Sequence, residues 1–452
     1  MNIIIAGCGK VGQKLAEKLC LEKEHNITVI DTRSHIINTL ANEYDIMGVC
    51  GNSASIDTLY DADIEDADIL IAVTGSDELN LLTCLIARKM CSCQTIARVR
   101  KPEYGKELHL FKNDLGLAMI INPELTAATE IARILRSPTA IKIDTFAKGR
   151  VEILKFKIPQ GSPLDNLKIA DIHHTTSCDI LVCGVERDEE AIIPRGDFIL
   201  KSGDIISIVG SIQDEHIFFK KIGIKTNKIK DAIIVGGGEI AYYLAKQLIK
   251  ANIDVKIIEH NEARCHKLCE LLPKATIIHG DGTDNKLLLE EGIEHTDAFV
   301  SLTNIDEENI ILSMFAQSMC NGKIVTKVNR ITYDNVINAL DVGTTIYPKN
   351  ITADYIVRFV RAMHNSIGSN IETMHGILNG KAEALEFRIR ENSPVANIPL
   401  EDLMLKKNVL IACINRNGRI FNPRGRDVIL PDDTVIVVTT SFGLTDISDI
   451  LE

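Results

Sequence analysis

Three glycines and an acid near the amino terminus have the spacing of a phosphate-binding loop. Gly7-Cys8-Gly9-Lys10-Val11-Gly12 is a G-x-G-x-x-G that follows the apolar run Ile3-Ile4-Ile5-Ala6. A helical pattern starts at once, with Val11, Leu15, Ala16 and Leu19 on one face. The first glycine lets the chain turn off a strand, the second lets a diphosphate lie against backbone, and the third brings helix and sheet close. The helix start adds N–H groups and a partial positive charge for the phosphates. Asp31 ends the next apolar run, Ile27-Thr28-Val29-Ile30, 19 residues after Gly12, where a carboxylate takes both ribose hydroxyls.

Further candidates follow the fourth apolar run. Thr74 and Gly75 close Ile69-Leu70-Ile71-Ala72-Val73, at a strand's carboxyl end beside the nucleotide crevice. Glu78 and Asn80 open the next helix, where helix capping accounts for both. Arg98 ends the fifth run at the same edge and can hold phosphate through two parallel hydrogen bonds. Other reactive types fit ordinary roles better. His173-His174 lies in a polar, loop-like stretch and reads as solvated. His260, Cys265, His266 and Cys269 lack a zinc-site pattern, and Cys91-Ser92-Cys93 is not a C-x-x-C redox pair. A dehydrogenase would need an acid–base residue set against the nicotinamide, and none stands out.

The chain is written twice. Gly236-Gly237-Gly238-Glu239-Ile240-Ala241 repeats the opening 229 positions on, and the same offset carries Thr74 to Thr303, Asn80 to Asn309, Arg98 to Lys327 and Asp204 to Asp433. Glu259 stands for Asp31, one position early. The third glycine has become Ala241 and the fork of Arg98 the point charge of Lys327, so the second site is expected to bind differently, more weakly or not at all.

These elements define an α/β chain. Two Rossmann-like, doubly wound parallel-sheet domains are each followed by a small α+β domain. The expected layout is a nucleotide domain at 1–121, a connecting helix at 122–139 and a small domain at 140–225. The second copy has a nucleotide domain at 230–348, a helix at 349–365 and a small domain at 366–452. Each connecting helix carries an apolar stripe, Leu125, Ala128, Ile131, Ala132 and Leu135 before Pro138, then Ile356, Phe359, Val360 and Met363 before Gly368. Such a stripe packs a core, or grips a neighbouring unit.

Composition sets the remaining bounds. The 452 residues are 45% apolar and 25% charged with a net charge of −12, which argues against a general nucleic-acid binder. No apolar run reaches the roughly 18 residues of a membrane span, and the chain enters a strand at Asn2 without a signal peptide. A cytoplasmic chain is expected, its twelve cysteines reduced, with Cys8, Cys50, Cys84, Cys183 and Cys413 acting as small hydrophobes.

The glycine motif with Asp31, then Ile71-Ala72-Val73-Thr74-Gly75-Ser76-Asp77-Glu78-Leu79-Asn80, then Ala97-Arg98-Val99, resembles the RCK (KTN) domains that regulate potassium transport. The resemblance covers nearly the whole chain. It implies a non-enzymatic, ring-forming homo-oligomer that binds NAD(H) or ATP/ADP. Such a subunit gates a TrkH-like potassium channel or transporter from the inner face of the membrane. The implied ligand contacts are Gly7, Cys8, Gly9, Lys10, Val11, Asp31, Thr74, Gly75 and Arg98. In the second copy they are Gly236, Gly237, Gly238, Glu239, Ile240 and Glu259. The alternatives are an NAD-dependent oxidoreductase, or a regulator of a different ion or solute transporter.

Overall fold

The computed structural model describes all residues except 22–24, 101–114, 137–141, 147–150, 189, 211, 224–228, 330–336, 338–339, 341, 367–370 and 379–380. Pro138 and Gly368, expected to end the connecting helices, lie outside the described residues. The chain opens with β1 (Asn2–Ala6), α1 (Lys10–Cys20), β2 (Asn26–Asp31), α2 (Ser34–Tyr44), β3 (Met47–Cys50) and α3 (Ile56–Asp61). It continues with β4 (Ile69–Ala72), α4 (Asp77–Met90), β5 (Gln94–Arg98), β6 (Leu117–Ile121) and α5 (Pro123–Arg136). The six strands are parallel, in the order β3-β2-β1-β4-β5-β6. Helices cover both faces of such a sheet, which is why its central strands are continuous apolar runs: Ile3, Ile5, Ile69 and Ile71 are all buried. The order reverses between β1 and β4, so a crevice opens at their carboxyl ends.

Next come β7 (Lys142–Phe146), β8 (Val151–Lys157), α6 (Ile172–Thr176), β9 (Leu181–Arg187), β10 (Glu190–Ile192), β11 (Ile205–Gly210) and α7 (Ile212–Lys221). Their antiparallel sheet has the order β10-β9-β11-β8-β7.

The second copy repeats both patterns. It runs β12 (Asp231–Val235), α8 (Glu239–Lys250), β13 (Asp254–Glu259), α9 (Glu262–Leu271), β14 (Thr276–His279), α10 (Asn285–Glu290), β15 (Ala298–Ser301), α11 (Asp306–Met319), β16 (Lys323–Lys327), β17 (Thr344–Ile346) and α12 (Pro348–Ser366). The parallel order β14-β13-β12-β15-β16-β17 matches the first sheet. Strands β18 (Ile371–Ile377), β19 (Ala382–Arg388), β20 (Val409–Arg416), β21 (Arg419–Phe421) and β22 (Thr434–Thr439) form the last antiparallel sheet, β18-β19-β22-β20-β21.

The chain forms two compact units, Met1–Leu135 with Ile229–Val360, and Arg136–Lys228 with Arg361–Glu452. In the first unit, α5 leaves its own domain and packs on the other copy. Ala128, Ile131, Ala132 and Leu135 share one core with Ala241, Leu244, Ala245 and Leu248 of α8. Full burial of a Leu or Ile side chain contributes about 1.5–3 kcal/mol, so Ile131 and Leu135 of this stripe, with the alanines letting the helices approach, hold the two domains together. Leu125, expected on the stripe, is exposed because it sits in the first turn, on the outer side of α5. On α12, Ile356 and Val360 are buried, and Asp354 pairs with Lys18 of α1.

In the second unit the two antiparallel sheets share a core, with Phe146, Ile153 and Val209 against Ile377, Ala384, Ile436 and Val438. Asp204 and Asp433 have matching structural roles. Each takes a two-pronged guanidinium, from Arg187 at 2.8 and 2.6 Å and from Arg416 at 2.9 and 2.7 Å.

Two local expectations need correction. His173 and His174 are exposed as expected, but they lie on α6 and not in a loop, with His173 Nδ1 3.0 Å from the Cys178 carbonyl. Cys8, Cys84, Cys183 and Cys413 are buried, whereas Cys50 is exposed. It ends β3, the edge strand, where solvent reaches the outer side of the sheet.

Candidate functional site

The loop after β1 is shaped by its glycines. Gly7 has φ +101°, a region that favours glycine, and a Cβ there would stand 2.7 Å from the Thr74 backbone. A Cβ on Gly12 would lie 1.9 Å from the Gly7 carbonyl oxygen, so helix and turn meet with no room for a side chain. Gly9 faces open space, with nothing within 4 Å of where its Cβ would be. The loop after β12 repeats this, with Gly236 at φ +99° and Gly238 facing open space. Gly9 and Gly238 are the N-caps of α1 and α8 and supply no side-chain acceptor. In contrast, α4, α9 and α10 are capped by Ser76, Asn261 and Asp284. The two helices behind the glycine loops thus leave their first-turn N–H groups without a capping side chain.

The acids reach these loops in the same way. Asp31 Oδ2 accepts from the Cys8 amide at 2.7 Å, and Glu259 Oε2 accepts from the Gly237 amide at 2.7 Å. The other oxygen accepts from the amide two residues on, of Arg33 at 3.0 Å and of Asn261 at 2.8 Å. The longer side chain of Glu259 makes up for its earlier position. Burial pushes the Asp31 carboxyl up, but the Arg33 guanidinium and the amides of Arg33 and Cys8 outweigh it and hold the pKa below 3.8. The Cys8 amide is therefore engaged with Asp31, and burial raises the Cys8 thiol to about 12, so the side chain is inert. Lys10 is exposed and Val11 is buried in the core.

Behind the fourth strand the buried Asn80 organises the edge. Its Oδ1 accepts from the Thr74 amide at 2.8 Å and the Thr74 hydroxyl at 2.7 Å, and its Nδ2 donates to the Arg98 carbonyl at 2.9 Å. Asn309 does the same for the Thr303 amide at 2.8 Å and the Lys327 carbonyl at 3.0 Å. Helix capping, expected for Asn80, is done by Ser76. Asn80 and Asn309 instead pin the strand ends that line the crevice, and their retention through the duplication was the available signal. The Thr74 hydroxyl is engaged with Asn80, while Gly75 faces open space. Arg98 donates through Nη2 to the Thr74 carbonyl at 2.5 Å and keeps a buried Nε with no hydrogen-bond partner among the described residues. Burial lowers its pKa, as does neighbouring Arg100, against the pull of Glu124 and Asp77.

The second loop has its own occupants. Glu239, at the first position of α8, pairs with Arg264 at 3.2 Å, and Arg264 Nε donates to the Gly237 carbonyl at 2.6 Å. The matching carbonyl of Cys8 is held by the neutral Gln13 at 3.0 Å. Ile240 is half-buried behind this loop. Lys327 is buried, which lowers its pKa, and Nζ lies 3.4 Å from the Leu302 carbonyl. Sequence reading missed Arg33 and Arg264, because nothing in a linear pattern marks which surface arginine folds back onto a loop. The Cys265 thiol points to the Glu259 carbonyl at 3.3 Å, while Cys269 is exposed. Among the described residues no group of three or more His, Cys, Asp or Glu is placed to hold a metal ion. Nor does any described helix have the length and apolarity to cross a membrane.

Known proteins share this plan. The TrkA-N domain model matches residues 3–123 and 232–348, and the TrkA-C domain model matches 153–223 and 384–452. A Trk system potassium uptake protein TrkA homolog of Archaeoglobus fulgidus is 33% identical over 437 residues, 97% of each chain. The Trk system potassium uptake protein TrkA of Halomonas elongata is 33% identical over 443 residues, 97% of this chain and 93% of its own. Among solved structures the GsuK channel has a similar fold, with a TM-score of 0.63 at 19% identity over 97% of this chain and 77% of that one. The same channel has also been solved bound to NAD, with a TM-score of 0.62 over the same shares. Matched in both copies of both domains and along its whole length, the chain belongs to the TrkA family.

Proposed function

We propose that this chain is a nucleotide-binding regulatory subunit of a potassium-uptake system, which gates a TrkH-like membrane partner and carries out no chemistry on its ligand. The observation that carries the reading is the pair of open glycine loops, each joined by an acid through a 2.7 Å amide bond, in a chain whose full-length relatives are named for potassium uptake. The ligand is an adenine nucleotide, NAD(H) or ATP/ADP. Gly7 to Val11 would cradle its phosphates, Asp31 the ribose, and Gly75 with Arg98 the far phosphate or second nucleotide half. Gly236 to Ile240 and Glu259 form the weaker second site, because Glu239 places a carboxylate where phosphate would approach.

Binding can act as a lever because α5 fastens the first nucleotide domain to the second. A ligand that favours one spacing of these domains shifts the population toward it. Homo-oligomeric rings at the inner face of the membrane would pass that change to the partner. Equilibrium titration with NADH, NAD, ATP and ADP tests the reading, together with growth at low potassium after loss of the gene. Binding without turnover and impaired growth are expected. Consumption of NADH with a small metabolite at ordinary enzyme rates would replace it with an oxidoreductase.

A further inference from the structure

Asp31 has no acceptor site left for a ribose. Its Oδ1 accepts from the Arg33 amide at 3.0 Å and from Arg33 Nε at 2.9 Å. Its Oδ2 accepts from the Cys8 amide at 2.7 Å and from Arg33 Nη2 at 3.0 Å. A carboxylate offers about four lone-pair sites, and all are filled. Two of the donors are backbone amides that build the loop. The other two belong to one side chain that is 50% exposed, on an acid that is 7% exposed. Removing that side chain would free one site on each oxygen, which is what a vicinal diol requires.

We propose that Arg33 is a built-in competitor for the ribose, holding the acceptor of the first site and yielding it bond for bond to the 2′,3′-diol of an incoming adenosine. This rests on the nucleotide reading of that site and makes Arg33 a determinant of its affinity and of its preference among ribose derivatives. The second copy is the internal contrast. Asn261, two residues after Glu259, keeps the amide bond at 2.8 Å, but its side chain caps α9, and among the described residues no guanidinium covers the acid. The neighbour of Glu259 there is His260, whose Nδ1 stands 3.1 Å away on a side chain that is 84% exposed.

The test is titration of the full-length protein and its Arg33→Ala variant with ADP and with 2′,3′-dideoxy-ADP. A half-exposed ion pair is displaced at modest cost, so ADP should bind the variant up to about fivefold more tightly. Dideoxy-ADP has no diol to exchange and should bind both proteins equally. Weaker ADP binding by the variant would overturn the proposal, because the guanidinium would then hold the ligand. An equal change for both ligands would also overturn it, as a general charge effect, and so would unchanged ADP binding. Failure of both proteins to bind either ligand would remove the nucleotide reading itself, and the competitor with it.

Discussion

In the first nucleotide domain a guanidinium covers the acid; in the second, a guanidinium covers the loop. Arg33 sits on Asp31, whereas Arg264 sits on the Gly237 carbonyl and pairs with Glu239. Around these differences the backbone is almost superposable in its hydrogen bonding, from the acid-to-amide bond to the asparagine that ties two strand ends together. Glycines and buried asparagines therefore set the shape of each crevice. The charged residues that fold back onto it set what each crevice attracts.

The sharpest way to break this comparison is at the third glycine. Gly12→Ala should destabilise the protein by about 3 kcal/mol, since its Cβ would overlap the Gly7 carbonyl, although the second copy carries a buried alanine at the matching place. Ala241→Gly should cost only about 1 kcal/mol, the helix-propensity loss. Urea unfolding of both variants reads the difference, and equal losses would mean that the two loops pack alike. Next in size, Asn80→Ala leaves the Thr74 amide and the Arg98 carbonyl without their partner, at about 2–3 kcal/mol in the same assay. Asn309→Ala should match it if the asparagines serve the fold and not the ligand.

Binding tests follow. Asp31→Ala should weaken nucleotide binding by roughly 1–3 kcal/mol and Glu259→Ala by less, as read by calorimetric titration. Equal losses would reverse the ranking of the sites. Glu239→Lys, which gives the second loop the charge of Lys10, should raise phosphate affinity there by up to about 1 kcal/mol, because its pair with Arg264 is partly exposed. The smallest effect concerns pH. The Asp31 carboxyl has its pKa held below 3.8 in the fold, so its contribution to stability is present above that value and lost as pH falls through the lowered one. Asp31→Asn should flatten that part of the acid limb of melting temperature against pH.

Much of this was legible in the chain. Runs such as Ile3–Ala6 and Ile69–Ala72 name buried parallel strands because only a sheet covered on both faces tolerates them. Gly7, Gly9 and Gly12 announce a turn, an open face and a close contact, and each has that role in the structure. Asn80 shows the limit. At a helix start an asparagine reads as a cap, and only the packing of α4 against the ends of β4 and β5 turns it into a tie between strands. Leu125 and Cys50 fail for a similar reason, since periodicity gives a face but not what lies across from it.

By itself the sequence determined the fold class, the duplication and the two loops with their acids, because backbone conformation, burial and a helix start are local demands written in residue type and spacing. Tertiary structure alone decided that α5 would bury its stripe in the other copy, and that Arg33 and Arg264 would fold onto different parts of the same site. Long, flexible cations find partners through space, and the position of a partner is known only once the chain has folded.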